Sequence, residues 1–541
     1  MVLLAALCLS SALVGVELMA TAVALPRIVV DLSDWTQLRE ASWVVNGYLL
    51  AFIAAMPLAG RAADRYGLPP LLLGSLGLFA LGSLLSGAAG SLEQLVAARV
   101  VQGFGGGAIL PLATAGASLM FSGPSKARAL GAVSAANFLG MAMGPFLGAT
   151  ILEHFDLGPA LLAAGLGDSV ATSLLVPAWR WVFYLGAPAA LIALAWCWVA
   201  LAGWDRRPSP GRLDVLGAGL VTAALAGGLV CLTTLGEPEV PGALPVSLVA
   251  GAVSLVTTAA AIVHARRTPD PFLDPRLFRD RIFRAAALVS LLTGYALATA
   301  IVGAAVWVDR VRYAGPPEQR AVLGSLALAM AIGAIGSGYL LKGIRVVPLA
   351  ICGLILATAG MVLLGTSDQG TQLPVLLAAL ALFGFGFGLT VTPRSTAALE
   401  SLGQDMSGIT SAGVTVARMA GMAIGLAVLT GFGTQRIEGL SVVLTDATAR
   451  DVVLPVGLRG RPLADPMVVD VLERWASAQA ASILAGLFLV AAGVLVAAIW
   501  PTLRLRAAPE TVDAAPGVPE RATIADDDHD AGASFRAPIR G

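Results

Sequence analysis

The chain has 541 residues, of which 57% are hydrophobic and only 13% charged, against the roughly 25% charged share of soluble globular domains. Lys plus Arg and Asp plus Glu balance at 34 each, so no global field favours nucleic acid or an acidic partner. This composition excludes an ordinary water-soluble enzyme and makes a bilayer the solvent.

A hydrocarbon core of about 30 Å needs roughly 20 apolar helical residues, so runs of that length divided by clusters of charge, Pro and Gly mark spans. Runs fall at 2–25, 43–59, 71–89, 95–121, 129–152, 182–202, 215–235, 246–264, 283–307, 322–341, 346–365, 374–392, 409–432 and 478–500, predicting an all-α membrane protein of about fourteen spans. The first run ends in the small residues Ala20 to Ala24, loosely like a signal-peptidase site. No basic segment precedes it and it has the length of a full span, so it reads as a span. An even number of spans puts both ends on one side.

Alternate connections carry Arg61 and Arg65, Lys126 and Arg128, Arg206, Arg207 and Arg212, then Arg266 through Arg284, Lys342, Arg345 and Arg394. The opposite set is sparser, so the positive-inside rule predicts two cytoplasmic termini in a bacterial inner membrane. Two outer connections are long, 153–181 and 433–477, and a loop of that length is functional or disordered. The segment 507–541, with Asp526-Asp527-Asp528, has the composition of a disordered tail.

Charges at membrane depth cost at least ~2.5–3.5 kcal/mol each on insertion scales and are functional candidates by default. Three stand inside spans: Glu17, Arg99 and Arg418. Desolvation penalises the charged form of a buried carboxylate, which suits Glu17 to loading and releasing a proton. A structural tie between Glu17 and an arginine is the plainer alternative, and the two are compatible if the pair breaks during a cycle. Arg99 and Arg418 are open to coupling, to pairing and to snorkelling at a helix end.

Gly103-Phe104-Gly105-Gly106-Gly107 and Gly384-Phe385-Gly386-Phe387-Gly388 lie within spans and not after a strand, so they read as helix-packing surfaces, not nucleotide loops. Cys8, Cys197, Cys231 and Cys352 fall in apolar runs without metal-ligand spacing and read as small core residues. There is no Walker lysine motif or hydrolytic triad. No catalytic residue, metal or cofactor is expected.

Several of these segments, in order, resemble the major facilitator superfamily, and specifically its fourteen-helix drug:proton antiporter branch. Gly60-Arg61-Ala62-Ala63-Asp64-Arg65-Tyr66-Gly67 is similar to that family's gating motif, whose Asp is implied to tie to a helix end or an Arg across the two halves. Arg99-Val100-Val101-Gln102-Gly103 resembles the motif whose arginine serves proton handling. Gly140-Met141-Ala142-Met143-Gly144-Pro145-Phe146-Leu147-Gly148 resembles the antiporter signature, and Trp179-Arg180-Trp181 also fits. Within the branch, residues 41–67 and Val414 to Met422 look like the mycobacterial lipoprotein-linked triacylglyceride exporters. Those exporters carry a carboxylate just before the antiporter signature, where this chain has Asn137-Phe138, and the gating motif here continues as Leu68-Pro69-Pro70 in place of basic residues.

The resemblance implies two six-helix bundles, 1–202 and 282–506, with two extra helices in 203–281, and a midplane substrate cavity for which Asn46, Gln102, Asn137 and Phe138 are candidates. It implies a proton-coupled exporter. Spans poor in acids favour a lipid or lipophilic substrate over the cationic amphiphiles of a multidrug antiporter; a non-transporting sensor or scaffold is the remote alternative. Protons, a lipophilic small molecule and a periplasmic lipoprotein at 433–477 are the implied partners of a monomer.

Overall fold

The computed structural model describes residues 2–32, 43–155, 163, 170–203, 214–235, 242–269, 271–272, 274–403, 406–429, 436, 440 and 446–505. Fourteen helices in it are long and apolar enough to cross a membrane. They are α1 (Val2–Leu32), α2 (Trp43–Tyr66), α3 (Leu68–Ala88), α4 (Leu92–Met120), α5 (Gly123–His154), α6 (Ala178–Ala200) and α7 (Val215–Leu235). They continue as α8 (Ala243–Arg267), α9 (Arg281–Arg310), α10 (Pro316–Leu340), α11 (Val346–Gly365), α12 (Leu373–Ser401), α13 (Ser407–Val428) and α14 (Pro466–Thr502). Helix is the form such segments must take, because hydrocarbon offers the backbone no partner and only a helix or a closed barrel satisfies every N–H and C=O internally.

Six helices pack into each of two bundles, and the pairings repeat. In the first, α1 packs on α5, α2 on α4, and α3 on α4 and α6; in the second, α9 packs on α13, α10 on α12, and α11 on α12 and α14. The bundles meet through α5 against α10 and α2 against α13, again a symmetric exchange. The glycine strings supply the close approaches. Gly103 and Gly107 lie on the backbone of Tyr48 and Phe52 in α2, and Gly105 on Phe79 in α3. Gly384 and Gly388 lie on Leu326 and Met330 in α10, and Gly386 on Ala357 in α11. Gly140 and Gly144 of the antiporter signature meet Ala12 and Val16 of α1, as Gly421 meets Leu291 of α9. Any side chain at Gly140 or Gly421 collides with a main-chain carbonyl that cannot turn aside, so Gly140→Val is expected to separate α1 from α5 and abolish recovery of monodisperse protein in detergent. Gly148 makes a tight but less severe approach, a Cβ there meeting Ala20 O at 3.2 Å, and Pro145 lies inside α5.

The extra pair, α7 and α8, packs mainly on itself, with Ser254 Oγ donating to Ala224 O (2.8 Å) and Ser247 Oγ to Cys231 O (3.2 Å). Of the two, α7 also packs on α2 and α13, across the seam of the bundles. Asp214 anchors this pair to the segment leading into α9: it accepts from Gly217 N (2.9 Å), Phe272 N (3.1 Å) and His264 Nε2 (2.9 Å). Burial pushes the Asp214 carboxyl up, but those hydrogen bonds outweigh it and hold it below its ordinary range. The anchor is therefore present above the unfolded carboxylate value of about 4 and is lost as pH falls through the lower folded one. Asp214→Asn is expected to speed amide exchange at Phe272 and Gly217 at neutral pH, measured by mass spectrometry, while wild type shows that opening only in acid.

Helices outrun the hydropathy windows at several ends. The outer connection expected at 433–477 gives its last residues to α14, which begins at Pro466, is capped by Asp465 through Met467 N (2.9 Å), and at 37 residues is about 55 Å long. Its first turns carry Asp470, Glu473 and Arg474, polar enough to leave the hydrocarbon, while Val468 and Leu472 bury Leu454, the residue that follows the short helix Ala447–Val453. The expected connection 153–181 likewise shortens, since α6 begins at Ala178. The segment expected as a disordered tail, 507–541, lies outside the described residues.

Candidate functional site

Glu17 sits in the middle of α1 and is buried, 3% exposed, against α4 and α6. Its carboxylate accepts from Arg99 Nη1 of α4 at 2.7 Å and from Thr21 Oγ1, one turn on, at 3.2 Å. Arg99 is 1% exposed and also donates to Gln102 Oε1 (2.6 Å) and Val44 O (3.3 Å), with its guanidinium 4.1 Å from the Tyr48 ring centroid. The chain continues from Gln102 Nε2 to Ser83 Oγ (2.9 Å) and from Ser83 Oγ to Phe183 O (3.0 Å). Gly186 of α6 makes the space: a Cβ there would meet Ser83 Oγ at 2.7 Å and Glu17 Oε2 at 3.3 Å. Two opposite charges taken out of water hold together only with this degree of geometry and hydrogen bonding.

A narrow cavity lies where the bundles face each other. Leu110, Leu130, Phe138, Val391, Leu399 and Val414 give it apolar walls, and Ser134, Asn137, Ser411 and Thr415 give it hydroxyls and an amide. Phe138 meets Phe387 edge-on at 5.9 Å across the seam. Two cations face the cavity: Arg394 of α12, 1% exposed, and Arg418 of α13, 9% exposed. No Asp or Glu is among its described lining residues.

The turn at Gly67 closes one end of the bundle interface. Gly67 has φ 89° and ψ 157°, a conformation open essentially to glycine alone, and its N–H caps α2 at Ala63 O (2.9 Å). Leu68-Pro69 then starts α3 with Pro in its first turn, where its missing N–H costs nothing. That turn directs Asp64 across the interface to the first residues of α13, where it accepts from Gly408 N (2.9 Å) and Ile409 N (3.0 Å). A carboxylate on the free N–H groups of a helix start meets both orphan donors and the positive end of the helix dipole. Gly60 makes the approach possible, since a Cβ on it would meet Gly408 O at 2.5 Å. Arg61 donates to Pro271 O (3.0 Å), joining the same motif to the segment that Asp214 anchors. Arg65 is only partly buried at the end of α2.

Of the residues singled out in the sequence, Glu17, Arg99 and Gln102 come together in one cluster inside the first bundle, and Asn137, Phe138 and Arg418 come together in the cavity. Arg418 is thus apart from Glu17. Gln102 and Asn46, expected at the substrate cavity, do not line it: Gln102 is taken up by Arg99 and Ser83. Arg394, expected in a connection, is deep in α12. Its charge ended the hydropathy window, but Thr293 and Thr390 hydroxyls accept from it at 2.6 and 3.4 Å and the Phe387 ring lies 5.5 Å away, so the helix carries on to Ser401. Arg180 of the Trp179-Arg180-Trp181 motif donates to Gly87 O (2.8 Å) and Ala89 O (2.5 Å), fixing the turn between α3 and α4.

The family described as the Major Facilitator Superfamily matches residues 7–426. The chain is 35% identical over 419 residues to a triacylglyceride transporter of Mycolicibacterium hassiacum, covering 74% of this chain and 73% of that one. It is 32% identical over 442 residues to a triacylglyceride transporter of Mycolicibacterium smegmatis, covering 79% and 74%. In fold it is similar to the human organic anion transporter MFSD10, with a TM-score of 0.57 at 17% identity over 91% of this chain and 99% of that one. A bacterial homologue of the human lysosomal transporter Spinster gives the same TM-score and identity over 94% and 98%.

Proposed function

The chain belongs to the major facilitator superfamily, and on that premise we propose that it is a proton-coupled secondary exporter of a lipophilic substrate, working by alternating access. The observation that carries this reading is the buried Glu17–Arg99 pair, 2.7 Å apart inside the first bundle. A proton arriving at Glu17 removes the charge that holds Arg99, so loading and release of one proton change the packing of α1 against α4. Rocking of one bundle against the other then presents the cavity to each side in turn. By the positive-inside rule the Gly67 end is cytoplasmic, so the Asp64 contact belongs to a state closed on that side.

A lipid class of substrate is supported by the relatives, named as triacylglyceride transporters, and by the cavity's apolar walls. The multidrug alternative needs a counter-charge for cationic amphiphiles, and the described lining offers no acid. The outer segment 433–477, with the polar first turns of α14, is the surface proposed for a lipoprotein partner.

In proteoliposomes with an imposed pH gradient, purified protein is expected to move a fluorescent triacylglyceride analogue faster than in vesicles at equal pH, and a cationic dye in parallel vesicles is expected not to respond. Dye movement without lipid movement would establish the multidrug reading in its place; gradient-independent movement of neither would remove the transport reading proposed.

A further inference from the structure

Neither cation in the cavity has an acidic partner among the described residues. Arg394 is held on one side by Thr293 and Thr390, and its Nε has no hydrogen-bond partner. Arg418 makes no side-chain hydrogen bond or ion pair to any described residue, and its Nε is buried and unsatisfied. Buried arginine is retained at a cost, because desolvation of an ion is recovered only through an opposite charge and further hydrogen bonds. Elsewhere in this protein a buried arginine has an acid beside it: Arg99 has Glu17 at 2.7 Å, and Arg180, whose Nε is also unpaired, has two carbonyls and Asp31 at 3.9 Å. Here both arginines line the same cavity, and no acid shares its described lining. Planar guanidiniums with free N–H groups match the oxygens of a carboxylate or phosphate, which they bind in charge-assisted pairs.

We propose that this cavity holds the head group of an anionic amphiphile, its carboxylate or phosphate seated on Arg418 and Arg394 and its acyl portion on the wall of Phe138, Val391 and Leu399. Ser411 and Thr415 of α13 and Ser134 and Asn137 of α5, which share the lining, supply neutral donors around the same head. The inference rests on the transporter reading above and adds an order of preference among the lipids carried: an acyl chain with one or two negative charges on its head is held more tightly than a neutral glyceride.

The test uses full-length protein in nanodiscs of neutral lipid and a set of probes with one common labelled acyl chain: a fatty acid, a lysophosphatidic acid, a monoacylglycerol and an alkyl trimethylammonium. The fatty acid and the phosphate lipid are expected to bind roughly ten- to a hundredfold more tightly than the monoacylglycerol, the span of one to two charge-assisted hydrogen bonds. Arg418→Gln is expected to erase that preference and Arg418→Lys to keep part of it. Inorganic phosphate and acetate in competition separate a lipid head from a free anion: weak competition at millimolar levels supports the amphiphile, while displacement at the probe's own affinity overturns it in favour of a free-anion site. Equal affinity for the neutral and anionic lipids overturns the proposal, and that comparison needs wild type alone, so a variant that fails to fold leaves it decided. A pH-driven carrier that prefers the neutral probe would fail this inference and keep the proposed function; absence of any gradient-driven lipid movement, with anionic binding intact, would do the reverse.

Discussion

Glu17→Gln is expected to bring the gradient-driven accumulation of substrate in proteoliposomes down to a ratio of about one while leaving the protein folded. A membrane potential supplies about 2.3 kcal/mol per charge per 100 mV, so one coupled proton sustains roughly a fiftyfold ratio. Glutamine is nearly isosteric: its carbonyl oxygen still accepts from Arg99 Nη1 and Thr21 Oγ1, and Arg99 keeps Gln102 and Val44 O. What it cannot do is bind and release a proton. Equal-pH exchange of substrate should therefore survive, which separates lost coupling from lost folding. Either change breaks a buried pair from one side, at a cost of up to about 3–5 kcal/mol: Glu17→Gln leaves the Arg99 guanidinium without a counter-ion but still with acceptors in Gln102 and Val44 O, and Arg99→Gln leaves a carboxylate that stays neutral by keeping a proton. Both variants are expected to show a lowered melting temperature, and only Arg99→Gln keeps a titratable group at this position. If Glu17→Gln retained the wild-type response to a pH gradient, the pair would be a structural tie only, and the proton site would have to be sought elsewhere.

The spans were legible because hydrocarbon imposes one simple demand, a run of about twenty apolar helical residues, and fourteen runs meet it. Their ends were less so. Hydropathy stops at a charge, whereas a helix stops where its backbone finds a cap, so α2 runs past Arg61 and Asp64 to Tyr66 and α14 starts at Pro466, well before the apolar run. Glu17 and Arg99 stood out as charges in apolar sequence, and their spacing of one residue in α1 and one in α4 gave no distance; only the fold makes them partners. Arg394 was missed for the opposite reason. Placed near the end of an apolar run, it is indistinguishable from a cytoplasmic cation until Thr293, a hundred residues away in α9, is seen beneath it. Gly408 was missed too, since its role rests on Gly60 and Asp64 arriving from the other bundle. Assignments within one helix follow from sequence; assignments across the seam depend on which helices the fold places side by side.

That seam makes Asp64→Asn the second variant with a large expected effect. Asp64 joins α2 of one bundle to the start of α13 of the other through two N–H groups at 2.9 and 3.0 Å, and in the alternating-access cycle proposed above this contact belongs to the state closed at this end. Asparagine lacks the charge and presents one acceptor oxygen, so the closed state loses about 1–2 kcal/mol, equivalent to a five- to thirtyfold shift of the two-state balance toward the form open at this end. Distances between spin labels at Tyr66→Cys and Ile344→Cys, two exposed positions at that end, in a background with Cys8, Cys197, Cys231 and Cys352 replaced, are expected to move from a mainly short population to a mainly long one. Gly60→Leu should act in the same direction by sterics, because its Cβ already meets Gly408 O and the rest of the side chain has nowhere to go. Glu17→Gln, which leaves this contact untouched, should not shift the distance by itself. An unchanged distance in Asp64→Asn would mean that the packing of α5 on α10 and α2 on α13 closes this end unaided and that Asp64 adds only local order to the start of α13. If the shift occurs, transport should slow at the step that closes this end, with substrate release toward the opposite side limited by how seldom the latch forms.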